Sequence, residues 1–199
     1  MKLTISPGNS KLGKIPNISL PPIAACGNSK QCAKECYAVK PYRMYPNVKK
    51  AWNNNFVLHR LNLSYVDVEI RKFLDKKKPK YFRIHVSGDF LNQKHVDMWA
   101  GIAEDYKGTQ FLAFTKMFNL TFPSSKNFRI YFSVWPTMNR AEYEDFLQDK
   151  PVAVVTAEDL KEYHKEDLRY LHFPKVCPGS CSDCKYCFEE VGDVIFKKH

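Results

Sequence analysis

The stretch Tyr81-Phe82-Arg83-Ile84-His85-Val86-Ser87 decides the fold. Apolar and polar residues alternate along it. A strand's period of two puts Phe82, Ile84 and Val86 on one face and Arg83, His85 and Ser87 on the other. The design returns 46 residues later, with Phe128, Ile130, Phe132 and Val134 set against Arg129, Tyr131 and Ser133. The shared string Phe-Arg-Ile-x-x-Ser reads either as an internal repeat or as a coincidence of common geometry. Residues 110–116 and Val152–Thr156 read as two further strands.

Helical patterns lie between these runs. From Asn47, Val48, Ala51, Trp52 and Asn55 fall on one face. A second helix starts at Ser64 with Asp67 as its capping-box partner, carries Val66, Ile70, Phe73 and Leu74, and stops at Lys78-Pro79. Asn92 caps a third, with Val96, Trp99, Ile102 and Ala103 facing inward. Asn139 with Glu142 starts a fourth carrying Tyr143, Phe146 and Leu147, and Thr156 with Asp159 starts a last one. Strands alternating with helices predict a mostly parallel α/β arrangement, a partial or open βα barrel. Its polar interior is lined by Arg83, His85, Arg129 and Tyr131, and sites in such folds form at the carboxyl ends of strands. One such end is Ser87-Gly88-Asp89-Phe90. Gly88 permits close approach of a ligand and Asp89 presents a carboxylate, although an ordinary strand-to-helix turn favours the same residues.

All seven cysteines fall in two clusters. Cys26, Cys32 and Cys36 form C-x5-C-x3-C, and Cys177, Cys181, Cys184 and Cys187 lie near the other end. An odd count, no secretory leader and a length that needs no staples weigh against a disulfide framework. Clustering without apolar periodicity reads as metal ligation. Lys30, Lys34 and nearby amides are expected to lower the thiol pKa values of the first cluster. The C-x2-C-x2-C run beside Cys177-Pro178 is typical of iron–sulfur ligation, so a [4Fe–4S] cluster is expected, with zinc as the alternative metal. Four ligands plus three is the simplest partition. Cys177 crossing to the first site, or one cluster built from both segments, stays open.

At 199 residues and 44% hydrophobic content the chain can bury one core and reads as a single domain. Residues 1–46 are an irregular cysteine-loop segment, 47–170 a βα core and 171–199 a cysteine-rich end. No run approaches the length that spans a bilayer, so a cytoplasmic protein is expected. Residues 1–100 carry 18 Lys/Arg against 6 Asp/Glu, whereas residues 101–199 carry 13 against 15. The basic first half makes nucleic acid a candidate partner. The alternative is a solvated helix end at Lys76, Lys77, Lys78 and Lys80.

The ordered set Lys11-Leu12-Gly13-Lys14, Leu20-Pro21-Pro22, Cys36-Tyr37-Ala38, 83–90, Phe114-Thr115-Lys116 and the terminal cysteines resembles a phage family called gene product 88. That family is itself regarded as radical-SAM-like, SAM being S-adenosylmethionine. The resemblance runs from about Asn9 to Cys187 and implies the cytoplasm of a bacterial host. It implies a shortened radical-SAM core in which Cys26, Cys32 and Cys36 hold a [4Fe–4S] cluster with one iron open. Ser87, Gly88, Asp89 and Lys116 would then hold SAM, and Arg83, His85, Arg129 and Tyr131 would line the substrate pocket. The spacing departs from the usual C-x3-C-x2-C, and Asp89 stands where Glu is usual. Two alternatives accompany radical chemistry: an electron-transfer or structural iron–sulfur protein, and a zinc-stapled module that binds nucleic acid.

Overall fold

In the computed structural model, residues 1–30, 32–135, 144–147, 150–156, 175–190 and 192–197 are described. Six parallel strands form an open half-barrel in the order β1-β2-β3-β4-β6-β5. They are β1 (Tyr81–Arg83), β2 (Gln110–Thr115), β3 (Phe128–Val134), β4 (Val152–Thr156), β5 (Lys175–Val176) and β6 (Val194–Lys197). The helices are α1 (Val39–Met44), α2 (Pro46–Leu61), α3 (Leu63–Lys77), α4 (Gln93–Asp105), α5 (Glu144–Leu147), α6 (Cys181–Cys184) and α7 (Tyr186–Glu189). The caps proposed at Asn139 with Glu142, the position of Tyr143, and the helix expected from Thr156 with Asp159 lie outside the described residues.

Local signals explain most helix boundaries. Pro46 stands in the first turn of α2, where its missing amide costs no bond. Asn92 caps α4 by accepting from the His95 amide at 3.1 Å. The cap of α3 is Asn62, which accepts from Tyr65 N at 3.0 Å, and not Ser64. Asp67, expected as its capping-box partner, instead pairs with Arg71 at 3.0 Å.

The two faces of the sheet carry different cores. On the helix face, Val66, Ile70 and Leu74 of α3 and Val96, Trp99 and Ile102 of α4 cover Phe82, Phe111 and Phe128. These three phenylalanines stand level across β1, β2 and β3. The other face holds Tyr81, Leu112, Tyr131, Ala153 and Val194, covered by Leu12, Ile15, Phe188 and the cysteines Cys177, Cys181 and Cys187. Arg83, Leu112 and Arg129 form a row on that face, so the repeated Phe-Arg pair sits at matching height two strands apart.

The alternation read in residues 81–87 breaks midway. The ladder of β1 ends at Arg83, and His85 takes a left-handed backbone with φ 49°. This inverts the phase: His85 turns to the helix face beside Phe90, whereas Val86 packs on the cysteine face. The cause lies upstream in the chain. Residues 16–20 run beside β1, with Arg83 N bonding Pro16 O, Ile18 N bonding Arg83 O and Leu20 N bonding Ser87 O. The neighbouring stretch Ile23-Ala24-Ala25 is a turn, with Ile23 at φ 66°.

Candidate functional site

The chain places the first cysteine segment over the strand end read as a ligand site. Asp89 N donates to Ala25 O at 2.9 Å, and Asn28 Nδ2 donates to Lys116 O at 3.3 Å. Cys26 therefore sits beside Asp89. Burial, followed by that carboxylate, pushes its thiol up to about 12. The lowering expected from Lys30 and Lys34 is overturned at Cys26, because desolvation and a like charge outweigh two exposed lysines. Cys32 and Cys36 flank the single turn Ala33–Glu35, and the Cys32 thiol reaches Ser29 O at 3.7 Å.

Asp89 is spent on the sheet. One carboxylate oxygen accepts from Phe90 N at 2.7 Å and Thr115 Oγ1 at 2.7 Å, and the other accepts from Lys116 N at 2.9 Å. Burial raises its pKa although these three donors pull the other way. Gly88 (φ 81°) is required by packing: a Cβ there would lie 2.6 Å from Leu20 Cβ. Ser87 Oγ is buried without a partner among the described residues, and the Lys116 ammonium sits 5.5 Å above the Trp135 ring.

The second cysteine segment docks through the amino-terminal loop. Cys181 N donates to Lys11 O at 2.8 Å, and a Cβ on Gly13 would strike Ser182. Cys177 N extends the β5–β6 ladder by bonding Ile195 O at 2.8 Å. Cys181 and Cys184 bound one helical turn, and Lys185, left-handed at φ 52°, redirects the chain so that Cys187 follows in the next. All seven thiols are free and partly buried. Burial pushes Cys187 up to about 12 against the pull of Arg83, and raises Cys181 as well. Among the described residues no three thiols lie within 4.8 Å of one another. A tetrahedral zinc with bonds of about 2.3 Å gathers its sulfurs to about 3.8 Å apart, so the loops would have to close on it. A cluster of four irons spreads its thiolates wider than one ion does.

Arg83 stands between the two segments. Its guanidinium lies 4.0 Å over the Phe114 ring and is partly buried. Burial lowers its pKa, and the neighbours that oppose this are Tyr37, Cys181, Cys187 and Cys177. No carboxylate pairs with it among the described residues. Tyr37 is exposed over its ring, yet its hydroxyl donates to Val86 O. The other pocket candidates diverge. Arg129 donates to the carbonyls of Glu189 and Glu190 at 2.9 and 2.8 Å and so anchors α7. Tyr131 stacks on Phe114, its hydroxyl buried without a partner among the described residues, while His85 has crossed to the other face.

There His85 meets two residues that the sequence reading passed over, His59 of α2 and His95 of α4. Both fall on the inward stripes of their helices, and that periodicity was the available signal. Burial lowers the pKa of His59 to about 4 and depresses His85 and His95 well below the ordinary range.

Lys76 and Lys77 occupy the last turn of α3, where they complement its carbonyl end, and Lys80 pairs with Glu189 at 3.3 Å. No helix among the described residues is long and apolar enough to cross a membrane.

Comparison with known proteins gives a consistent result. The family model for gene product 88 matches residues 2–190. The Gene 88 proteins of Mycobacterium phages D29 and L5 are each 31% identical over 220 aligned positions, covering 95% of this chain and 89% of the relative. No solved structure matches the chain.

Proposed function

The chain belongs to the gene product 88 family of phage proteins, and for it we propose iron–sulfur binding at the cysteine face of the sheet. In this reading Cys177, Cys181, Cys184 and Cys187 hold a [4Fe–4S] cluster. Cys26, Cys32 and Cys36 hold a second site above the strand end. The observation that carries it is Arg83, a partly buried cation whose described charge neighbours are thiols and a phenol. A desolvated cation is costly without an anion. Thiols become thiolates on ligation, which supplies that anion where Arg83 waits. A fixed positive charge beside a cluster also raises its reduction potential.

The sites serve electron transfer or structure in this reading, without SAM chemistry. Asp89 supports that choice, because hydrogen bonds to Phe90, Thr115 and Lys116 already occupy both of its carboxylate oxygens. An incoming amino group would find one acceptor position left, on the oxygen that takes only the Lys116 amide.

Anaerobic reconstitution with iron and sulfide tests the proposal. The expected product is brown, and Cys177→Ser loses the iron and sulfide of one cluster while keeping the other. Arg83→Met is expected to keep the iron count and lower the reduction potential. Protein made anaerobically with iron supplied that holds only zinc would overturn the reading. SAM retained by loaded protein and lost in Asp89→Asn would restore radical chemistry.

A further inference from the structure

Three histidines from three separate elements meet on the helix face, opposite the face that Cys177, Cys181 and Cys187 line. His59 comes from α2, His85 from the left-handed turn after β1 and His95 from the first turn of α4. They are 5%, 3% and 1% exposed. Ring centroids lie 4.7 Å apart for His59 and His95, and 4.9 Å apart for His85 and His95. One nitrogen from each ring can be chosen so that all three lie within 4.8 Å of one another. Among the described residues four nitrogens here are buried without a partner: His59 Nε2, both of His85, and His95 Nε2. Buried polar atoms are normally satisfied, so four orphans in one place call for a ligand.

We propose that His59, His85 and His95 bind a divalent transition-metal ion of the zinc class. Neutral imidazoles favour zinc, cobalt, nickel or copper over magnesium or calcium, which demand oxygen ligands. No carboxylate joins the group among the described residues. Three protein ligands leave a fourth position for water or a small ligand. A cleft of about 420 Å³, lined by Ala25, Cys26, Gly27, His59 and Asn92, supplies the way in.

Outer contacts already orient two of the rings. His59 Nδ1 lies 2.6 Å from Asn55 O, one helical turn back. It donates there, which turns the Nε2 lone pair toward the trio. The strained backbone of His85 aims its ring at the same point, held by Ile84 N on Leu112 O and Val86 N on Ile18 O. His95 carries the cost. Its Nδ1 accepts from Leu91 N at 3.3 Å, which leaves the ring proton on Nε2. Ligation through Nε2 moves that proton to Nδ1 and releases the Leu91 amide, which lies on the wall of the cleft where water can replace the bond.

That shift gives the test a signature. Zinc is added to metal-free protein labelled at its histidine rings, and the ring nitrogens are followed by NMR. The expected result is metal-bound shifts at His59, His85 and His95, with His95 changing tautomer and His59 keeping its proton on Nδ1. Zinc bound in whole equivalents with these rings unmoved would assign it to the thiols and overturn the proposal. In parallel, His59→Gln should lose one zinc equivalent, with an affinity loss beyond the roughly 10–100-fold of an outer-shell change. His95→Asn provides the same reading if that variant does not fold. Iron and sulfide content of either variant should stay at the wild-type level, so this site and the cysteine sites stand or fall separately. Unchanged zinc content in both variants would also overturn it.

Discussion

The two faces of the sheet are built on opposite terms. The helix face closes on itself: Phe82, Trp99 and Phe111 contact one another, and helices α3 and α4 seal them. The cysteine face is covered by loops and by helices of four residues, and its centre holds a cation, a phenol without a partner and thiols. Apolar burial alone accounts for the first. The second holds polar groups and thiols that apolar burial does not account for. Among the described residues, the helix face shares that incompleteness at the histidine trio and at Trp99 Nε1.

The comparison breaks most visibly if the helix face proves tolerant. Phe82→Ala should cost about 3–5 kcal/mol, because the ring is fully buried and both helices limit collapse of the cavity. A urea midpoint shift at constant slope measures it. A loss under 1 kcal/mol would show that α3 and α4 do not hold the sheet.

Acid probes the histidine trio in metal-free protein. The unfolded chain takes up protons near the ordinary value of 6.5, while folded His59 resists until about 4. Stability is therefore intact above pH 6.5 and drains as pH falls from there toward 4, by on the order of 3 kcal/mol for His59 alone. His85 and His95 add to the loss in the same direction. Bound metal should remove most of the slope between those limits. A flat response in metal-free protein would mean that water reaches the rings.

Loading should stabilise the cysteine face, by about 2.7 kcal/mol at a hundredfold excess over the dissociation constant. Cys181→Ser should lose most of that gain while leaving the melting of metal-free protein close to wild type. If serine destabilises the metal-free form equally, Cys181 is packing and not a ligand.

Tyr131→Phe sharpens the contrast at smaller scale. Its hydroxyl is buried without a partner and stacked over Phe114, so removing it should be neutral or stabilise by up to about 1 kcal/mol. A larger loss by denaturant melting would reveal a bond that loading or solvent supplies. The smallest effect belongs to the surface: Lys76, Lys77 and Lys78 changed to Gln should move stability within about 0.5 kcal/mol each. If the basic half touches nucleic acid, the same variant should elute at lower salt and show a shallower salt slope. Unchanged elution would leave these lysines as a helix end.

Much of the scaffold was legible in the residues. The stripe Val66, Ile70 and Leu74 and the Asn92 cap are set by local periodicity and by a side chain serving a nearby amide. Such signals need no distant partner. The alternation of faces along β3 survives for the same reason, with Phe128, Ile130 and Phe132 in one core and Tyr131 in the other. The confinement of every cysteine to two short segments was equally plain, since composition does not depend on the fold.

What the tertiary structure alone decided comes from contacts between segments far apart in the chain. The phase of residues 81–87 departs from strict alternation because residues 16–20 pair beside β1 and His85 goes left-handed, a shift that no period-two pattern encodes. Asp89 is occupied by the end of β2, 26 and 27 residues ahead, so its commitment could not be read from the turn in which it sits. Helical periodicity can say that His59 and His95 face inward. Only the crossover of α4 and the packing of α2 against the strand end say that they face each other. A sequence specifies which side of each element avoids water. Which buried sides meet is settled by parallel pairing across long loops, and both candidate sites of this protein are made there.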